Sequence, residues 1–204
     1  MPSAAHEIAV ARLSRDPSLL SLLAQKLGKP PPARLRPVDS TVRFVDPAEV
    51  RPDIILASGK RGPWDAIEVQ QRRDPRKARR WGLLVSALND QRRCMGDLWV
   101  LTASKRTAAW AGGACDAVGP SGTRLRVEPI VLLLGAKEVE ALLDDGRPSL
   151  AFFAAWAVAH RHGPKAVQVV VRALEIWPNQ LALLTCWRSE DRALVGSCRL
   201  SSWS

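Results

Sequence analysis

Residues 53–70 read DIILASGKRGPWDAIEVQ. Two short apolar runs flank a basic turn, Ser58-Gly59-Lys60-Arg61-Gly62-Pro63, whose glycines and proline are the signature of a β-hairpin. With the turn centred between Lys60 and Arg61, Asp53 faces Glu68 across the two strands, and Gln70 follows on the same face. Directly opposed residues hold their Cβ atoms roughly 4.5–5.5 Å apart. Two carboxylates at that spacing repel, which makes them poor structural elements. As converging hard oxygen donors they suit Mg²⁺ or Mn²⁺. A register slipped by one residue would send the two acids to opposite faces. Asp53 would then be a strand-start cap and Glu68 a partner for a nearby arginine, so the spacing alone leaves both readings open.

Downstream, Asp74-Pro75 supplies a helix cap and a first-turn proline. Ala78, Trp81, Leu84, Val85 and Leu88 then recur at helical spacing, predicting an amphipathic helix over residues 75–91 with Trp81 in the core. An apolar strand at 98–102, with Trp99 inside it, has the composition of one buried on both faces. A short helix at 104–111, a glycine-rich loop at 112–121, a strand within 124–134 and a helix at 137–143 follow. Helices at 150–160 and 165–176 come next, and one more at 180–187. Upstream, residues 4–27 read as helix broken at Asp16-Pro17, and residues 41–45 alternate as a strand. The expected fold is α/β: a mixed central sheet flanked by helices, with C-terminal helices. The expected division is 1–147 as the main domain, 148–187 as a helical extension and 188–204 as a disordered tail.

The 204 residues carry a net charge of +10, a balance that favours polyanionic partners. It is concentrated: between Ser58 and Arg93 ten cations accompany four acids. Arg72, Arg73, Arg76, Lys77 and Arg80 lie at or just before the start of the helix that follows the hairpin. There arginine forks and helix N–H groups both favour phosphate. Such contacts give affinity without sequence preference. The same run would serve equally as a solvated helix face. The four cysteines lie far apart, with no C-x-x-C pair, which argues against a zinc knuckle and for free thiols. The opening residues lack a basic stretch followed by a long apolar run, so no signal peptide is expected, and the longest apolar run is about half a membrane span. A cytoplasmic location without membrane contact is therefore expected. Phe152, Phe153 and Trp156 on one apolar helix raise a homodimer face as a further possibility.

The ordered set of Pro52-Asp53, the hairpin, Glu68-Val69-Gln70-Gln71-Arg72-Arg73-Asp74-Pro75-Arg76-Lys77, a basic helix with a Trp and an apolar strand resembles the PD-(D/E)XK nuclease superfamily. The closer likeness is to an uncharacterised bacterial group of PD-(D/E)XK-like proteins with a D…ExQ variant of the motif. It covers roughly residues 1–134. The resemblance implies a restriction-endonuclease-like core and metal-dependent hydrolysis of nucleic-acid phosphodiesters, DNA being the expected substrate. It implies that Asp53 and Glu68 hold Mg²⁺ or Mn²⁺, with the Val69 carbonyl as a third ligand and Glu7 as an acid contributed by the first helix. Gln70 takes the catalytic position at which much of the superfamily carries Lys. Its neutral amide can position a water but cannot neutralise charge on phosphate. A catalytically inactive nucleic-acid-binding or interaction protein is the alternative.

Overall fold

A computed structural model describes residues 4–29, 36–38, 50–118, 124–159, 161 and 163–177. The strand expected at 41–45, the helix at 180–187 and the tail all lie outside the described residues.

The hairpin of residues 53–70 forms as its turn chemistry dictates. Strands β2 (Ile54–Ala57) and β3 (Trp64–Val69) pair antiparallel, with Ile54 opposite Ile67 and Ala57 opposite Trp64. Gly59 (φ 71°) and Gly62 (φ 128°) take the left-handed backbone conformations that the turn needs. β1 (Arg36–Val38), a short strand that the sequence reading does not include, adds to the outer edge of β2. β4 (Asp97–Thr102) lies parallel to β3, and β7 (Ile130–Leu133) lies parallel to β4. The result is a mixed five-stranded sheet ordered β1-β2-β3-β4-β7. Gly96 lets β4 begin against β3: a Cβ there would sit 2.0 Å from the Trp64 carbonyl oxygen.

Helix α3 (Pro75–Arg92) crosses one face of the sheet. Its Ala78, Trp81, Leu84, Val85 and Leu88 pack against Ile55, Ala57, Trp64, Ala66, Leu98 and Val100. The short helix α4 (Lys105–Ala111) is capped by Ser104, whose side chain accepts from the Thr107 N–H. The loop expected at 112–121 contains instead a strand, β5 (Cys115–Val118). It pairs antiparallel with β6 (Arg124–Val127) as a separate two-stranded ribbon. The single strand expected within 124–134 is thus two, β6 and β7, in different sheets.

The other face is covered by α1 (Ala4–Arg15), α2 (Ser18–Lys26), α5 (Ala136–Asp144), α6 (Pro148–Val158) and α7 (Pro164–Ile176). α6 is apolar all round and buried all round, the pattern of a central helix. Phe152, Phe153 and Trp156, the residues offering a dimer face, lie in the same apolar cluster as Ile54, Ile67 and Trp99. Among the described residues no helix is long and apolar enough to cross a membrane. Cys94 and Cys115 are free thiols.

Because helices cover both faces, an acid on either face of β3 is buried. Asp65 lies on the five-helix side, 2 % exposed, where its Oδ1 accepts the Trp99 indole N–H at 2.8 Å. Burial pushes its pKa up from 3.8 to about 6 despite that hydrogen bond, with Asp97 adding repulsion. The folded state therefore disfavours the ionised form, and Asp65 lowers stability as pH rises from about 4 through about 6. Asp65→Asn keeps an acceptor for Trp99 and removes the charge. Its stability advantage over wild type is expected to widen by about 2 kcal/mol between pH 4 and pH 8. Urea unfolding of both proteins at the two pH values measures this, and a constant gap would contradict it.

Candidate functional site

Asp53 immediately precedes β2, and Glu68 is the last residue but one of β3. Continuing the pairing outward from Ile54 and Ile67 brings the two acids opposite each other, the register that the turn predicts. By strand alternation both fall on the face covered by α3, together with Ile55 and Ala66. This edge of the sheet is also the C-terminal end of the parallel strands β3 and β4. Open α/β sheets characteristically bind ligands at that end.

Helix α3 completes the arrangement. Asp74 caps it, its Oδ1 accepting the backbone N–H groups of Arg76 at 3.0 Å and Lys77 at 3.1 Å. The cap fixes the first turn over the strand ends and so delivers Lys77 between the two acids. Lys77 Nζ lies 3.2 Å from Asp53 Oδ1 and forms an ion pair with Glu68 Oε2. The other Asp53 oxygen, Oδ2, accepts the Val69 N–H at 2.7 Å and lies 3.4 Å from His6 Nε2 on α1.

Burial opposes ionisation of Asp53, but the His6 hydrogen bond, the Lys77 ammonium and the Val69 N–H outweigh it and hold the carboxyl below its usual range. Glu68 is 2 % exposed. Burial pushes its pKa up to about 8, Lys77 counteracts only in part, and the Asp53 charge raises it further. Burial works against the Lys77 ammonium, yet Glu68 and Asp53 prevail and raise its pKa. The hydrogen bond to Asp53 likewise raises the His6 pKa against burial. The site thus pairs one firmly ionised carboxylate with one whose ionisation burial opposes, across a lysine that stays charged.

A cleft of about 320 Å³ opens beside Glu68 and Lys77, lined by Val50, Arg51, Glu68, Asp74, Arg76, Lys77, Arg80 and Trp81. Of the cations singled out in the sequence, Arg76, Lys77 and Arg80 reach this cleft. Arg72 and Arg73 stand exposed on the loop before α3 and do not line it. Gln70 is buried one residue past β3, and its backbone N–H donates to the Leu101 carbonyl at 2.9 Å. Glu7 points away: its side chain is 65 % exposed, and its contact is with His6 Nδ1 at 3.8 Å. The residue that α1 brings to Asp53 is His6, its neighbour in sequence. Arg51 was signalled only by its place before Pro52-Asp53, and Lys77 only as one charge among many.

Asp53 Oδ1 and Glu68 Oε2 already converge on a single positive nitrogen, the Lys77 ammonium standing where a small cation could sit. Two oxygen donors of this type are the residues that could hold Mg²⁺ or Mn²⁺. Among the described residues no group of three or more His, Cys, Asp or Glu side chains could hold a metal. Comparisons with protein-family models, curated proteins and solved structures find no match for this chain.

Proposed function

We propose that this protein is a metal-dependent phosphodiesterase acting on nucleic acid, a PD-(D/E)XK-type nuclease with a restriction-endonuclease-like core and DNA as its preferred substrate. The observation that carries the reading is the convergence of Asp53 and Glu68 on one cation, the Lys77 ammonium, with Glu68 and Lys77 lining an arginine-rimmed cleft. Asp53 and Glu68 are the residues that would hold Mg²⁺ or Mn²⁺, which when bound polarises a phosphate oxygen and acidifies a water. The remaining work falls to the chain's own groups. Arg51, Arg76 and Arg80 present planar forks suited to phosphate oxygens and draw the polyanion to the cleft. Lys77 supplies, from the helix, the positive charge that Gln70 cannot supply from the strand. His6 and the Val69 N–H hold Asp53 ionised and fixed in orientation.

Incubation of the purified protein with plasmid, linear duplex, single-stranded DNA and RNA in Mg²⁺ or Mn²⁺ tests this. Wild type is expected to cut, and Asp53→Ala to fall by at least about 10²-fold, the scale of losing one electrostatic stabiliser. Equal background from both proteins would end the enzymatic reading.

One observation favours a second reading, a nucleic-acid-binding protein without hydrolysis: Lys77 already occupies the position between both acids, and the third motif position is Gln70. That protein would bind DNA or RNA in a salt-sensitive way with no metal-dependent cutting.

A further inference from the structure

We propose that a second cleft at the same end of the sheet is a subsite for a backbone phosphate of the nucleic-acid chain; this rests on the function proposed above and extends it to the path of the substrate. The cleft, of about 340 Å³, lies where β3 and β4 end, on the face opposite α3. Gln71 and Ser104 line it at the strand ends, Trp156 of α6 forms a wall, and Lys105 and Arg161 bring positive charge.

Three observations point to an anionic occupant. Trp156 is 2 % exposed, and among the described residues its indole Nε1–H has no acceptor. A buried N–H without a partner is destabilising, and the ring that carries this one lines the cleft, so an acceptor entering there relieves it after a small shift of the ring. Arg161 is anchored there, its Nη2 donating to the Ala103 carbonyl at 3.2 Å, and its fork geometry suits phosphate. Among the described residues no Asp or Glu lines the cleft. The local charge therefore selects against cations and gives neutral ligands no advantage.

Position identifies the anion. Glu68 lines the first cleft and Gln71 the second, so three peptide bonds of one strand end separate the linings of the two clefts. A polyanion seated in the first cleft, over Glu68, and continuing across the edge of the sheet meets Lys105 and Arg161 next. A chain of phosphates can engage both clefts at once, which a lone phosphate cannot.

The indole N–H resonances of the full chain, with its eight tryptophans, report on this directly. Trp156→Phe retains an aromatic ring, removes the N–H and so assigns its peak. Lys105 and Arg161 are exposed, so replacing them leaves the core intact. A short single-stranded DNA oligonucleotide, titrated in EDTA, is expected to shift the Trp156 resonance saturably. In the Lys105→Ala/Arg161→Ala double variant the half-saturating concentration should rise at least about tenfold, as for loss of one charge-assisted hydrogen bond. Inorganic phosphate should produce the same shift only at far higher concentration. Three results would each overturn the subsite: no shift with the oligonucleotide, an unchanged titration in the double variant, or tighter binding of inorganic phosphate than of the oligonucleotide. Since the titration involves no metal and no cutting, a wild type that shifts but never cleaves defeats the hydrolytic reading alone. One that cleaves without the shift defeats the subsite alone.

Discussion

Lys77→Met is expected to lose about 3–5 kcal/mol of stability in EDTA, the cost of removing one partner from a buried ion pair. Lys77 is the cation between Asp53 and Glu68, and without it two carboxyls face each other at the covered end of the sheet. Either both stay ionised and repel, or Glu68 takes up a proton at the expense of its charge; both outcomes are unfavourable. The loss is expected to shrink on adding Mg²⁺ or Mn²⁺, because an ion that binds the folded state alone stabilises it, by about 2.7 kcal/mol at a hundred times its Kd. Wild type should gain less, since there the ion competes with the ammonium. Urea unfolding in EDTA and in divalent cation separates the cases. An equal loss in both would mean that Lys77 contributes packing rather than charge.

Glu68→Gln is expected to do the opposite to stability while abolishing function. The Glu68 pKa, raised from 4.5 to about 8 mainly by burial, means that folding disfavours its ionised form. Its contribution to stability falls as pH climbs from the ordinary carboxyl range through about 8. Gln has nearly the same shape as the protonated acid and leaves Asp53 and Lys77 as a balanced pair. The variant should be more stable than wild type at pH 9 by about 1–3 kcal/mol, with the gap closing toward pH 5. Metal-dependent cleavage should fall by at least about 10²-fold. A residue that weakens the fold yet is needed for activity is the signature expected of a functional site rather than a structural one. A destabilised Glu68→Gln at pH 9 would instead make Glu68 a structural partner of Lys77.

The part of the site carried by one hairpin was legible in the sequence. The turn of residues 58–63 fixes the register, and register alone sets Asp53 against Glu68. The start of α3 was legible too, because Asp74-Pro75 is a local signal. What escaped depends on how elements pack. Lys77 stands among several neighbouring cations, and only the rotation of α3 over β3 selects it. Glu7 and His6 are adjacent, and which of them meets Asp53 depends on α1 burying Ala5, Ala9 and Leu13. Asp65 alternates to the face away from Glu68, and alternation cannot tell that five helices cover that face as well. β5 was missed because its four residues follow glycines and leave three exposed, so no burial pattern marks them as a strand.

The most direct test of the shared-cation site is Mn²⁺ binding followed by electron paramagnetic resonance, on wild type and on Asp53→Ala and Glu68→Gln. Wild type should sequester one ion, and each substitution should weaken that binding at least about tenfold, the effect of losing one charged ligand. No bound Mn²⁺ in wild type, or the same binding in all three proteins, would contradict the account.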